Sequence, residues 1–97
     1  MKFEIAPKEY EIQANWDDAR LYCFSLNIDG KIGWRLPTKE ELNEIYESDN
    51  DFQKSYYWSS TEGDGRTAWL QDIYNGYQFS NFKFYGSYYV RAIRSTI

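Results

Sequence analysis

The chain has 97 residues, enough for one domain with a single core and too few for a separate catalytic module. Aromatic residues make up 21% of it while the mean hydropathy is −0.78, so the core is expected to be aromatic rather than aliphatic. The net charge of −4 argues against general binding of a phosphate backbone, which needs a concentrated basic surface, so no nucleic acid partner is expected.

Reactive side chains are scarce. Cys23 is the only cysteine and the chain has no histidine, which excludes an internal disulfide and the usual Cys/His zinc patterns. No nucleophile with a base and no metal triad can be recognised, so we expect no enzyme activity and no cofactor. No run approaches the roughly eighteen apolar residues of a membrane span, and the chain does not open on a signal-peptide pattern. A cytoplasmic or virion-associated protein without a membrane partner is therefore expected.

The first third of the chain predicts short strands and then a helix. The first dozen residues suggest two strand-like pieces interrupted at Pro7. Asn15 is a good N-cap, and apolar side chains then repeat at helical spacing. These are Trp16, Ala19, Cys23 and Leu26. A first helix over about 16–27 follows, and glycines after it turn the chain.

A second helix is predicted from its capping pattern. Residues 33–37 form a brief extended run that ends in a proline. Thr38 and Glu41 then make a capping box, in which each side chain accepts the other residue's backbone amide. The helix should begin at Lys39, carry an apolar stripe of Leu42, Ile45 and Tyr46, and fray within 48–51, where short polar residues compete for hydrogen bonds.

The second half of the chain changes to strand patterns. Aromatic-rich runs over 56–60 and 67–73 are separated by a loop over 61–66, and the second run leads into the hairpin signal Asn75-Gly76. An alternating run over 88–93 comes last. Helices first and antiparallel strands later predict an α+β domain with its helices packed on one side of a sheet.

Five motifs, in order over about 14–94, carry a family resemblance. They are Trp16-x-x-Ala19-x-x-Tyr22-Cys23, Gly33-Trp34-Arg35-Leu36-Pro37-Thr38-x-x-Glu41-Leu42, Tyr57-Trp58-Ser59-Ser60-Thr61, Ala68-Trp69, and Tyr89-Val90-Arg91-Ala92-Ile93-Arg94. Together they resemble the bacterial and phage family named for the C-terminal domain of the Legionella collagen-like adhesin.

The resemblance implies a C-type-lectin-like fold, with two helices packed on a small twisted antiparallel sheet and chain ends that pair near one another. It also implies a binding role, often adhesion, although fold alone does not choose a function. The collagen-like stalk of the family is absent from this sequence. Calcium-dependent animal lectins use Glu-Pro-Asn, Gln-Pro-Asp and Trp-Asn-Asp motifs; none occurs here, so no metal site is expected.

The family-defining residues are better explained by packing than by chemistry. The four tryptophans lie within helical or strand periodicity and are expected in the core. They are Trp16, Trp34, Trp58 and Trp69. Arg35, Arg91 and Arg94 are expected to pair with carboxylates or carbonyls and so fix strand ends.

Residues 74–88 do not fit the core explanation, because they are almost wholly aromatics mixed with Asn, Gly and Ser. This mixture gives wide contact area at low entropic cost, as in antibody paratopes. We therefore predict a site for a protein or glycan ligand, made by this segment and the preceding loop. Its predicted residues are Tyr74, Tyr77, Phe82, Phe84 and Tyr85, with Glu62, Asp64 and Arg66.

Three other interpretations remain open. The same aromatic residues could close a small core, or they could bury one another in a homo-oligomer. A phage-encoded inhibitor could instead bind a host or defence protein through an acidic stripe on the second helix. That stripe is Glu40, Glu44, Glu47 and Asp51. The simpler explanation of the stripe is a solvated helix face.

Overall fold

The computed structural model describes residues 1–96. Within that range the chain forms eight strands and two α-helices, with a single-turn 3-10 helix at Lys8–Tyr10. The strands are β1 (Phe3–Ile5), β2 (Ile12–Ala14), β3 (Trp34–Arg35), β4 (Tyr56–Glu62), β5 (Thr67–Asp72), β6 (Gln78–Phe82), β7 (Tyr88–Val90) and β8 (Ile93–Ser95). The helices are α1 (Trp16–Ser25) and α2 (Lys39–Tyr46).

The strands form two sheets. A three-stranded sheet has the order β1-β8-β3, so the first and last strands of the chain are paired. A five-stranded sheet has the order β2-β7-β4-β5-β6 and includes the hairpin of β5 and β6. All pairs are antiparallel except β4 with β7, which run parallel at Tyr57 and Tyr89. The α+β, C-type-lectin-like class is confirmed, with this parallel contact as an addition to the predicted antiparallel sheet.

Helix α1 begins as predicted and ends earlier. The Asn15 side chain accepts a hydrogen bond from the Asp18 amide at 2.9 Å, which satisfies one free donor of the first turn. The helix ends at Ser25 instead of near 27, and Leu26 is its extended C-cap. Beyond it, Asp29 and Gly30 adopt positive φ angles in the turn that was expected there.

Helix α2 begins at Lys39 with the predicted capping box. The Glu41 amide donates to Thr38 Oγ1 at 3.1 Å, and the Thr38 amide donates to Glu41 Oε1 at 2.8 Å. The same carboxylate accepts two hydrogen bonds from the Arg35 guanidinium, at 2.7 and 2.9 Å. Glu41 therefore joins the helix start to β3.

This ion pair makes stability depend on pH. The Arg35 guanidinium and the Thr38 amide hold the pKa of Glu41 below its ordinary value of 4.5. Because the folded pKa is lower than the unfolded one, the stabilisation is present above pH 4.5 and is lost as pH falls through the folded pKa. We expect Glu41→Gln to lower the free energy of unfolding by about 1 kcal/mol at neutral pH.

Urea unfolding of Glu41→Gln and the wild type at pH 7 and pH 3 measures this difference. The difference should be smaller at pH 3 than at pH 7, because the wild-type carboxylate loses its charge, and with it the ion pair, as pH falls towards its lowered folded pKa. Glu40→Gln is the matched control, because Glu40 lies exposed in the same helical turn. A difference that stays constant between the two pH values would contradict the ion-pair explanation.

The five-stranded sheet carries a core on each face. Trp58 and Tyr57 are adjacent in β4, so their side chains point to opposite faces. Trp58 packs in a cluster with Trp16 and other α1 residues, whereas Tyr57 packs in a second cluster with residues of α2, including Leu42 and Ile45. The helices therefore lie on opposite faces of the sheet. The prediction of both helices on one side was wrong, because β4 has large apolar side chains on both faces.

The last predicted strand is two strands in the structure. The run over 88–93 divides into β7 and β8, which belong to different sheets. Arg91 and Ala92 lie between them, both buried. The strand β4 also continues to Glu62, two residues beyond the prediction, and shifts register between Trp58 and Glu62. The four residues across the junction, 90–93, are all buried and include no glycine or proline, so the sequence did not mark the change of sheet.

The three family-defining arginines fix chain segments, as expected. The Arg94 Nε donates to the Ile32 carbonyl at 2.8 Å, and its Nη1 donates to Glu4 at 2.7 Å. Arg91 is only 3% exposed and donates to the Ala6 carbonyl at 2.7 Å, to Glu11 at 3.3 Å and to Asp51 at 2.8 Å. These contacts support a packing role for the family motifs.

Candidate binding surface

All eight residues of the predicted site lie on the surface, but the structure divides them between the two ends of the β5–β6 hairpin. The pairing of Thr67 with Phe82 closes one end, and the pairing of Gln71 with Gln78 closes the other. Four residue steps separate these pairs, roughly 14 Å of strand. Tyr74 and Tyr77 lie at the second end. The other predicted residues lie at the first end, so the sequence grouped two separate surfaces.

The first end has a three-ring cluster, which we name the aromatic tip (Phe82, Phe84 and Tyr85). The rings of Phe82 and Phe84 are stacked with centroids 5.4 Å apart, and the Tyr85 ring meets both edge-on at 5.8 and 5.3 Å. Phe84 is 70% exposed, Tyr85 48% and Phe82 40%. These rings belong to neither buried core cluster. The interpretation that they close the core is therefore wrong for the aromatic tip.

Lys83 holds the aromatic tip against the rest of the fold. Its amide donates to the Arg66 carbonyl at 2.8 Å, and its carbonyl accepts from the Trp16 amide at 3.0 Å. Its ammonium group pairs with Glu62 and lies 4.4 Å from the centre of the Trp16 ring. Sequence reasoning missed this role, although Lys83 is the only charged residue within 74–88.

The loop of Gly63–Arg66 lies beside the aromatic tip and has its own internal bonds. Asp64 Oδ1 accepts from the Arg66 amide at 2.8 Å, which lowers the pKa of the Asp64 carboxyl. The Lys83 ammonium group likewise lowers the pKa of Glu62. Arg66 is exposed and contributes its backbone carbonyl to Lys83. The charged rim of the aromatic tip is therefore a folded loop together with Glu62, which ends β4 and is already paired with Lys83.

The second end has a different aromatic group. Tyr74 is 74% exposed and Tyr77 65%. The Tyr77 ring stacks on Phe79 at 5.8 Å, and Phe79 meets Tyr56 edge-on at 5.5 Å. Tyr56 in turn contacts Tyr88 at 5.9 Å. Sequence reasoning named only the two tyrosines, because the others come from strands β4, β6 and β7 and meet only in the folded sheet.

Potential metal ligands are not clustered among residues 1–96, and the single thiol is buried. That range has no group of three His, Cys, Asp or Glu side chains able to hold a metal ion, and it encloses no pocket. Burial raises the pKa of the Cys23 thiol to about 12, so the thiol stays protonated at neutral pH.

The acidic stripe is shorter than predicted. Glu40 and Glu44 are exposed on α2, and Glu47 is its C-cap. Asp51 lies five residues beyond the last helical residue, and its carboxylate accepts a hydrogen bond from Arg91 Nη2 at 2.8 Å. Its assignment to the helix face was wrong, because the helix ends at Tyr46. The inhibitor interpretation therefore depends on three carboxylates instead of four.

The family model described as the Lcl C-terminal domain matches residues 5–94. The chain belongs to the Lcl C-terminal domain family. This confirms the resemblance that the five motifs indicated, and the family suggests an adhesin-type binding module. No curated protein matches the chain.

As a Lcl C-terminal domain, the protein is expected to act through its surface, and the aromatic tip is the most exposed ring cluster that the described residues offer.

In the part of the chain that the structure describes, no helix is long and apolar enough to cross a membrane. Of the four tryptophans, Trp16, Trp34 and Trp58 are buried, as predicted. Trp69 is half-buried, with the Lys39 ammonium group 4.0 Å from its ring centre.

Proposed function

We propose that this Lcl C-terminal domain is a non-catalytic binding module that contacts a protein or glycan through the aromatic tip. One observation carries the proposal: three mutually contacting rings, 40–70% exposed, lie outside both core clusters. Fully burying an exposed phenylalanine gains roughly 1.5–3 kcal/mol, and these part-exposed rings would each contribute a fraction of that gain in a complex.

The surroundings of the aromatic tip suit recognition. The segment is held by the backbone bonds of Lys83 to Arg66 and Trp16, so little ordering remains to be done when a ligand binds. Aromatic rings make large contacts with few rotatable bonds, and they serve sugar faces and apolar protein patches alike. Exposed Arg66 and Asp64 provide polar groups at the rim.

Phe84→Ser with Tyr85→Ser tests the proposal. Both residues are exposed and outside the core clusters, so the free energy of unfolding should change by less than about 0.5 kcal/mol. The partner is first identified with the wild type, either on a glycan array or by capture on immobilised protein. The double variant should bind that partner at least about tenfold more weakly. Circular dichroism and urea unfolding establish that the variant is folded.

Tyr74→Ser is the matched control, because it removes an equally exposed ring from the opposite end of the hairpin. It should leave that binding unchanged. Equal binding by the double variant and the wild type would contradict the proposal. So would a loss of binding with Tyr74→Ser alone, which would assign the site to the other end of the hairpin.

A further inference from the structure

The strand β6 is an open edge of the five-stranded sheet. Its only strand neighbour among the described residues is β5. Exposed edges are normally protected by lysine, proline or a bulge, since unpaired peptide groups attract other strands. β6 has none of these, and residues 73–82 contain no charged side chain. The edge therefore lacks the usual protection against pairing.

The pairing with β5 shows which peptide groups of β6 are open. The Asp72 amide donates to the Tyr77 carbonyl at 2.8 Å, and the Lys83 amide donates to the Arg66 carbonyl at 2.8 Å. In an antiparallel ladder, residues alternate between bonding to the neighbour and pointing away from it. The backbone groups that bond to β5 therefore belong to Tyr77, Phe79, Asn81 and Lys83. The peptide groups of Gln78, Ser80 and Phe82 point outward.

The outward groups of Phe82 are already occupied. Its amide donates to the Asn81 side chain at 2.8 Å, and its carbonyl accepts from the Tyr85 amide at 3.1 Å. The open edge is thus reduced to four groups, the N–H and C=O of Gln78 and of Ser80. Gln78 and Ser80 are two positions apart on the same edge. A two-fold axis between two copies would therefore place the donors and acceptors of each residue opposite those of the other residue in the second copy.

We propose that this edge pairs with β6 of a second copy of the chain, antiparallel, with Gln78 opposite Ser80 of the second copy. Both such pairs are hydrogen-bonded pairs, so the four open groups of each copy are all satisfied. The two-fold axis then passes between Phe79 and its equivalent. The alternative register, with Ser80 on the axis, would have to displace the bonds that Asn81 and Tyr85 make to Phe82.

The side chains favour the same register. Phe79 would face its equivalent as a non-hydrogen-bonded pair, with Cα atoms about 4.5 Å apart, where side chains approach most closely. Because Tyr77 stacks on Phe79 within each copy, the four rings would form one row across the axis. The paired segment itself contains no charged side chain, since Asp72 and Lys83 flank it along the chain.

Sedimentation equilibrium on the wild type, Ser80→Pro and Ser80→Ala tests the proposal. Proline removes an outward amide and no bond to β5, so the fold should survive, as prolines do on edge strands. We expect a weak wild-type dimer, with a dissociation constant on the order of 100 μM, since the paired area is small. Ser80→Pro should raise that constant at least about tenfold, whereas Ser80→Ala, which keeps the amide, should not.

Two further measurements keep the test decisive. Ser80→Lys leaves the backbone intact and places two like charges roughly 7–8 Å apart, so it should weaken the dimer at low salt and less at high salt. Hydrogen exchange of the Gln78 and Ser80 amides should slow as protein concentration rises. Exchange of the Phe82 amide should not change, because that amide is bonded within each copy.

A chain that stays monomeric at millimolar concentration overturns the proposal, even if the edge binds a strand of another protein. A dimer that is unaffected by both Ser80→Pro and Ser80→Lys also overturns it. The result is independent of the proposed function, because neither substitution touches a ring of the aromatic tip. The Ser80→Pro variant should still bind the partner of the aromatic tip. The double variant Phe84→Ser with Tyr85→Ser should not.

Discussion

Replacing Arg91 with methionine is expected to lower the free energy of unfolding by about 3–5 kcal/mol. The guanidinium group is 3% exposed and lies 4.9 Å from the centre of the Phe52 ring. Its loss leaves the Glu11 carboxylate, whose side chain is 6% exposed, without its cation. It also leaves the Ala6 carbonyl without the donor that Arg91 provides at 2.7 Å. An unpaired buried charge costs more than the original pair contributes.

The comparison with Arg35→Met separates burial from charge. Arg35 also pairs with a glutamate, but its side chain is 38% exposed, so that substitution should cost about 1 kcal/mol. Adding Glu11→Gln to Arg91→Met should recover part of the loss, because it removes the unpaired charge. Tyr57 donates a hydrogen bond to the Glu11 carboxylate at 2.6 Å, and a glutamine carbonyl at that position can accept the same bond. Urea unfolding of the wild type, Arg91→Met, Glu11→Gln and the double variant gives the coupling energy. A cost of Arg91→Met below 1 kcal/mol would contradict the buried network.

Gly76→Ala is expected to cost about 2–4 kcal/mol, through two effects at one position. Gly76 has φ of +83°, which strains any residue with a Cβ atom. A Cβ atom there would also lie 2.6 Å from the Tyr46 ring, which is half-buried against the second core cluster. The turn cannot shift freely, because the Gly76 amide donates to the Asp72 carbonyl at 2.7 Å.

Gly65→Ala is the matched control for Gly76→Ala. Gly65 also lies in a turn between strands, but a Cβ atom added there meets nothing within 4 Å and its φ is not positive. It should change the free energy of unfolding by less than about 1 kcal/mol, and in the stabilising direction. Thermal and urea unfolding of both variants provide the measurement. Equal effects of the two substitutions would show that the turn tolerates a side chain at Gly76.

The parts of the fold that local rules control were predictable from sequence. The capping box of Thr38 and Glu41 fixed the start of α2, and Asn15 fixed the start of α1, because cap residues act within three or four positions. The end of α1 and the division of 88–93 into two strands were not predictable. Both boundaries depend on contacts made elsewhere in the fold. For residues 88–93, the boundary depends on which of the two sheets each strand joins.

The candidate surface was predictable in composition but not in arrangement. The aromatic segment identified exposed rings, and all five that were named lie at the surface. Their division between two ends of a hairpin follows from the register of β5 and β6, which a single sequence does not specify. The role of Lys83 was also hidden, because its partners Glu62 and Trp16 are distant along the chain.

The pairing of β1 with β8 brings the two ends of the described chain side by side. Phe3 lies opposite Ser95, and the Thr96 amide donates to the Lys2 carbonyl at 3.2 Å. A short peptide could therefore join the two ends without distorting either strand. The same proximity means that the whole domain could be inserted into a surface loop of a carrier protein, with the aromatic tip kept free for display.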